Sequence, residues 1–283
     1  MEKSYRKCDT RDMTLNEFMQ NIDELPHTLL MPALFVGHGS PLNGIEDNEF
    51  TRGWQSIAAE LPRPKAILAI SAHWLTEGTF VHVAQKPKTI HDFWGFSKEL
   101  YDLSYPCPGS PLFAEATKSA LGDSVHNDLD WGIDHGTWIV LHRMYPEADI
   151  PVFQMSMDIS KPSEFHYELG KQLSSLRDKG VLIMGSGNIV HNLGRIDFNE
   201  NAKVFDWAQE FDDIARGYIV DKNHRGLIHY ERLGHAASLS IPTPDHYWPL
   251  LYILGLTQVG EEASFPVEGH THGSISMRSV LIK

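Results

Sequence analysis

Cysteine is scarce: Cys8 and Cys107 are the only two among 283 residues. Their spacing makes neither a CxxC pair nor a disulfide framework, so the expected setting is a reducing cytoplasm. No stretch reaches the roughly 18 apolar residues that a membrane-spanning helix needs. The N-terminal segment "MEKSYRKCDTRDMTLNEFMQ" has no apolar core of a secretory signal. Basic residues are in deficit, with 24 Lys and Arg against 37 Asp and Glu and a formal charge of −13. That weighs against nucleic acid or an anionic membrane as partner, because each calls for a basic face. Internal repeats, low-complexity linkers and breaks in composition are also missing. A chain of this length and composition supports one large apolar core without disulfide or structural metal.

What is present is an alternation of short apolar runs with amphipathic ones. Strands are expected at 33–36, 66–71, 79–84, 152–157, 181–186 and 274–282. Helices are expected at 50–60, 110–121, 137–145, 163–180, 202–220 and 247–256, with Ser110 and Pro111 at the start of the second and a glycine ending the fourth. This pattern predicts an α/β fold, a single domain whose central sheet, mostly parallel or mixed, is flanked by helices. "FPVEGHTHGSISM" suggests a hairpin at its edge. Residues 1–30 read as an extension, with a capping box at Thr14 to Glu17 opening a short helix from Leu15 to Leu25. The folded domain is expected over 31–283.

Histidine is abundant, at 16 residues, and its positions matter more than its number. In "LFVGHGSP" an apolar run stops at His38, held between Gly37 and Gly39. "AILAISAHW" places His73 just past a second run, and "VLIMGSGNIVHNL" places His191 within a turn of a third. Ligands in open α/β sheets bind outside the carboxyl ends of the strands. The glycines around His38 are therefore expected to clear space for ligands. "WGIDHGTW" holds His135, and "IPTPDHYWPLLY" holds His246 in a loop stiffened by prolines, with Asp245 placed as a helix cap. Three neutral imidazoles on an open site suit Zn²⁺ or non-haem Fe(II), and imidazole alone does not choose between them. No HExxH pattern gives independent support.

In this order and at these separations, "GHGSP", "SAHW", "DHGTW", "GSGNIVHNL" and "TPDHYWPLLYILG" resemble the class III (LigB-type) extradiol ring-cleavage dioxygenases, closest to their 4,5-DOPA extradiol dioxygenase branch. The resemblance runs from about residue 31 to the C-terminus. It implies a catalytic domain with the metal in a cleft at the C-terminal edge of the strands. It also implies His38, His73 and His246 as metal ligands, His191 as the acid/base and a possible fourth ligand in the resting site, and His135 on the oxygen side. Fe(II) is the implied working metal, and zinc would fill the same site in isolated protein. The implied partners are a catechol, DOPA-like, and O₂, with a muconate semialdehyde as product.

Two aromatic, proline-rich segments, "TIHDFWGF" and "YPCPGSP", are candidates to wall a ring pocket, with His91 near its mouth. Arg195 and Arg278 are candidates to meet a carboxylate. The pair His270 and His272 would point to one face of a regular strand and is a decoy metal site, expected to be exposed. Two other readings use the same histidines. A zinc-dependent hydrolase would need no O₂, and a non-catalytic relative would bind metal without turnover.

Overall fold

The computed structural model describes residues 29–122, 124–199 and 202–283. The helix expected from Leu15 to Leu25 lies outside the described residues. Along the chain come β1 (Ala33–Gly37), α1 (Glu49–Glu60), β2 (Ala66–Thr76), β3 (Thr79–His82), α2 (Lys98–Asp102), α3 (Pro111–Leu121), β4 (Val125–Asp128) and α4 (His135–Met144). Then follow β5 (Val152–Asp158), α5 (Ser163–Gln172), β6 (Val181–Gly187), α6 (Asp206–Val220), α7 (His224–Ile228), α8 (His235–Ser240) and α9 (Trp248–Gly255). The chain closes with β7 (Ala263–Val267), β8 (His270–Thr271), β9 (Ile275–Ser276) and β10 (Ser279–Ile282).

Eight strands form one mixed sheet in the order β4-β3-β5-β2-β6-β1-β10-β7. The central four, β5, β2, β6 and β1, run parallel, while β10 and β3 join antiparallel at either side. Continuous apolar runs suit strands buried on both faces. Phe35, Leu68, Ile70 and Ile183 pack on one side with residues of α5, α6 and α9 such as Leu169, Phe211 and Leu250. Leu34, Val36, Ile67 and Met184 pack on the other with Trp54 of α1 and Trp138 of α4. The expected α/β architecture is thus present, with helices on both faces. Among the described residues no helix is long and apolar enough to cross a membrane.

Local chemistry explains most element ends. Ser110 caps α3 by accepting from the Phe113 N–H, with Pro111 at the first position as expected. Three departures have identifiable causes. The helix expected over 163–180 ends at Gln172 and tightens into a 3-10 turn over Leu173–Lys179. That turn carries Arg177 into the core, where it donates to the Met31 and Leu256 carbonyls and pairs with Glu261. The last strand breaks after Ser276 because Arg278 turns inward to Asp212. Helix α6 starts only at Asp206, because Phe205 takes an extended N-cap conformation and gives its N–H to the Gly273 carbonyl. The short elements β4, α2, α7 and α8 have too few residues to show a period.

One buried histidine sets an acid limit. His166 of α5 is fully buried, 3.0 Å from the Tyr252 hydroxyl through Nδ1, and its ring lies against Trp248. Burial pushes it down from the ordinary 6.5 to about 4. The unfolded chain takes up this proton near pH 6.5 and the folded chain only near 4. Stability is therefore complete above 6.5 and falls as pH drops through this window, by about 3 kcal/mol for this group. His166→Gln is expected to flatten the fall in Tm between those two pH values relative to the parent protein. An unchanged slope would show that His166 does not carry it.

Candidate metal centre and active site

The centre is assembled where the parallel strands end. The His38 N–H donates to the Gly187 carbonyl, which fixes the chain just beyond β1 against the end of β6. A Cβ on Gly37 would meet the Met277 backbone at 2.6 Å. Gly39 has φ +62, and a Cβ there would collide with the Met277 side chain. Both glycines therefore make room for Met277, and Gly39 also lines the cavity described below.

Strand β2 continues past its expected end through a bulge. Ile70 pairs with Met155 and Leu75 with Met157, so Ser71 to Trp74 lie opposite Ser156 alone. The bulge delivers His73 to the centre. His135 opens α4, whose cap is Asp134. The buried Asp134 carboxylate also accepts from Ser71 Oγ and from Gln154 Nε2, each at 2.7 Å, and so ties the bulge, β5 and α4 together. Burial first, then the Asp92 charge, raises its pKa. The His246 carbonyl accepts from the Asn188 N–H and leaves no room for a Cβ on Gly187. His191 follows β6 not on a helix but on an extended segment that bridges Ile275.

Five histidines converge. His38 Nε2 and His73 Nε2 are 3.2 Å apart. Donor atoms of His38, His73 and His246 all lie within 4.8 Å of one another. Two imidazole nitrogens on one metal, each 2.0–2.1 Å from it at near-tetrahedral or octahedral angles, stand about 2.9 to 3.4 Å apart. Hydrogen bonds choose the tautomers. Ser186 Oγ gives its proton to the Gly136 carbonyl at 2.5 Å, so the His38 Nδ1–H donates to Ser186 Oγ at 2.9 Å. His246 gives its Nδ1–H to Asp245. Both rings then present Nε2 lone pairs, the arrangement a cation requires. The residues present fit a metal ion.

The electrostatics agree. Burial, reinforced by His246, His135 and His191, holds His38 well below the ordinary range. Burial and His135 do the same for His73. Burial, then His246, pushes His191 down to about 2. These rings are neutral and available as donors. Asp92 stands 3.0 Å from His135 Nδ1 and 3.6 Å from His73 Nδ1. Burial alone would raise its pKa, but hydrogen bonding from His135 and the charge of that ring outweigh burial and lower it. Asp245 is likewise lowered, against its own burial, by His246.

The centre floors a cavity of about 400 Å³. Phe93, Trp94 and Phe96 form one part of its wall, and Leu193, Ile196, Phe198 and Ile275 another. A larger polar groove of about 700 Å³, lined by Lys222, His224 and Arg225 among others, includes none of the five converging histidines. The smaller cavity is the candidate site, because among the described residues it is there that apolar walls meet clustered donors.

Several expectations need correcting. The 89–96 segment lines the cavity as expected, but His91 does not: its Nε2 meets the Leu103 carbonyl and its ring packs on Trp138. The 105–111 segment is not part of the wall, and Tyr105 and Cys107 are buried in the core. Arg278 is committed to Asp212 and Glu268, and Arg195 is exposed outside the wall. Asp245 orients His246 rather than capping α9. His270 and His272 do not share a face: His270 lies by Asp212 and Arg278, while His272 lines the cavity. The sequence reading did not single out Asp92 or Ser186, which carry no spacing signal. Asp245 stood beside His246 and was readable as its partner.

An α/β sheet bearing a nest of converging histidines under an aromatic-walled cavity is the setting of a metal-dependent small-molecule site. Comparison with known proteins makes the class specific. The family described as the catalytic LigB subunit of aromatic ring-opening dioxygenase matches residues 30–276, and this chain belongs to it. A protein of Escherichia coli (strain K12) named 4,5-DOPA dioxygenase extradiol is 47% identical over 259 residues, covering 89% of this chain and 94% of that protein. A Beta vulgaris protein of the same name is 37% identical, over 79% of this chain and 85% of its own. The crystal structure of an uncharacterized protein from Escherichia coli K12 superposes with a TM-score of 0.79 at 42% identity, covering 89% of this chain and 100% of that one.

Asp92 touches two rings of the centre at once, so Asp92→Asn is expected to cost about 10- to 100-fold in metal affinity or turnover, the usual scale for a residue that orients ligands. Metal titration and oxygen uptake of the variant check this. Parental values in both would remove Asp92 from the site.

Proposed function

We propose that this protein is an extradiol dioxygenase that opens the ring of a DOPA-like catechol with O₂ to a muconate semialdehyde. The observation that carries the reading is the convergence of five histidines on one aromatic-walled cavity in a chain of the LigB family. Residues 31–283 form the catalytic domain in this reading. His38, His73 and His246 hold the metal, Fe(II) in the working enzyme, with zinc able to take the same ligands. When bound, the metal supplies Lewis acidity toward the catechol oxygens and positions for both substrates.

The chain's own residues do the rest. Phe93 and Ile275 are among the apolar groups that flank the ring and exclude water. His191, neutral and at the cavity floor, takes the proton that a catechol hydroxyl must lose. His135, beside Asp92, lines the cavity and meets oxygen there by hydrogen bonding.

The test is to strip the protein of metal, reload it anaerobically with Fe(II) or Zn(II), and add L-DOPA and air. Oxygen uptake matched to a yellow product with iron alone is the expected result. No uptake with iron across several catechols would overturn the reading and favour a zinc hydrolase or a non-catalytic binder.

A further inference from the structure

The cavity is apolar away from the histidine centre, with one exception. Among the described residues lining it there is no lysine or arginine, and the only carboxylate is Asp92, already engaged with His135 and His73. Ser40 offers a hydroxyl without charge. Trp94 adds an indole N–H, also without charge, and the remaining donor outside the centre is the imidazole of His272, whose ring neighbours Phe198 at 5.9 Å between centroids.

His272 is held there at a cost. Its φ is +53, a left-handed backbone that a residue with a side chain seldom adopts. Three hydrogen bonds lock the turn: Asp197 N–H to the His272 carbonyl, Phe205 N–H to that of Gly273, and Asn192 N–H to that of Ser274. A regular strand would place His270 and His272 on one face. The left-handed residue sends them apart, His270 to the Asp212–Arg278 cleft and His272 into the cavity. Backbone strain retained at a site wall is a mark of function.

We propose that His272 is the specificity-determining residue that selects catechols bearing a short carboxylate side chain, and that the amine of an amino-acid substrate is not read. The inference rests on the catechol reading above for the placement of the ring. An imidazole N–H donates to the carboxylate at the mouth while the diol sits at the centre. Among the described residues no free carboxylate lines the wall to receive an ammonium group. A catechol with a propionate chain and no amine therefore binds as well as an amino acid.

The test uses the full chain, with zinc for anaerobic binding and with iron for turnover. The probes are methylcatechol, dopamine, dihydrocaffeate and L-DOPA, against the parent, His272→Phe and His272→Ala. In the parent, dihydrocaffeate and L-DOPA should bind with similar Kd, both more tightly than dopamine. Both variants should weaken these two by about tenfold, the scale of one hydrogen bond to a charged group. Methylcatechol and dopamine should stay within about twofold, which also reports that the variants fold. Equal weakening of all four probes, no weakening of any, or a parent that prefers dopamine overturns the inference. If the iron-loaded parent consumes no oxygen with any probe, the dioxygenase reading fails, while the binding comparison still decides the role of His272.

Discussion

His38→Ala is expected to empty the metal centre and lower oxygen-dependent turnover by on the order of a thousandfold or more, since metal catalysis is worth several kcal/mol and each 1.36 kcal/mol is tenfold. The fold should survive. The imidazole is buried and neutral, and its backbone contact to the Gly187 carbonyl does not need the side chain. Besides the metal the ring loses its bond to Ser186, which keeps its donation to the Gly136 carbonyl, and its 3.2 Å contact with His73 Nε2. The net cost in stability of each such bond is about 1 kcal/mol. Elemental analysis after reloading with iron and an oxygen electrode check both halves. Full turnover with normal iron content would show that the metal is held elsewhere. Loss of turnover together with a large drop in Tm of the metal-free protein would mean that His38 is structural.

The sequence made one part of this centre legible and hid another. Runs such as "AILAIS" and "VLIMGS" announce central strands because burial on both faces demands unbroken apolar residues. Histidines at the ends of such runs follow from the way sheets present ligands. What stayed hidden depends on partners far along the chain. Gly39 is small because Met277 fills the space beside it. The bulge that carries His73 is visible only in the pairing of β2 with β5. Asp92 sits in a loop with no period, and only the fold brings it against His73 and His135. His91 and His272 reversed their expected places because a loop's local composition does not say which side chain turns inward. His91 finds the Leu103 carbonyl, and a left-handed backbone turns His272 to the cavity.

Replacing His191 by glutamine is expected to lower kcat by about 10²- to 10⁴-fold, the range of a lost general base, while the metal stays bound. Both halves of this prediction rest on geometry. The His191 and His246 rings are stacked, with centroids 3.5 Å apart and planes only 8° from parallel. Donor atoms of His38, His73 and His246 lie within 4.8 Å of one another without His191, so a metal held by those three would leave His191 beside it to act on the substrate. Burial keeps the ring unprotonated, so it meets the incoming hydroxyl as an acceptor. The negative charge left on the substrate then raises its affinity for the proton it has taken. Glutamine preserves polarity and much of the volume but cannot carry that proton. Retained iron with a collapsed kcat and little change in KM would place His191 in proton transfer. Iron lost in parallel with activity would instead make it a fourth ligand.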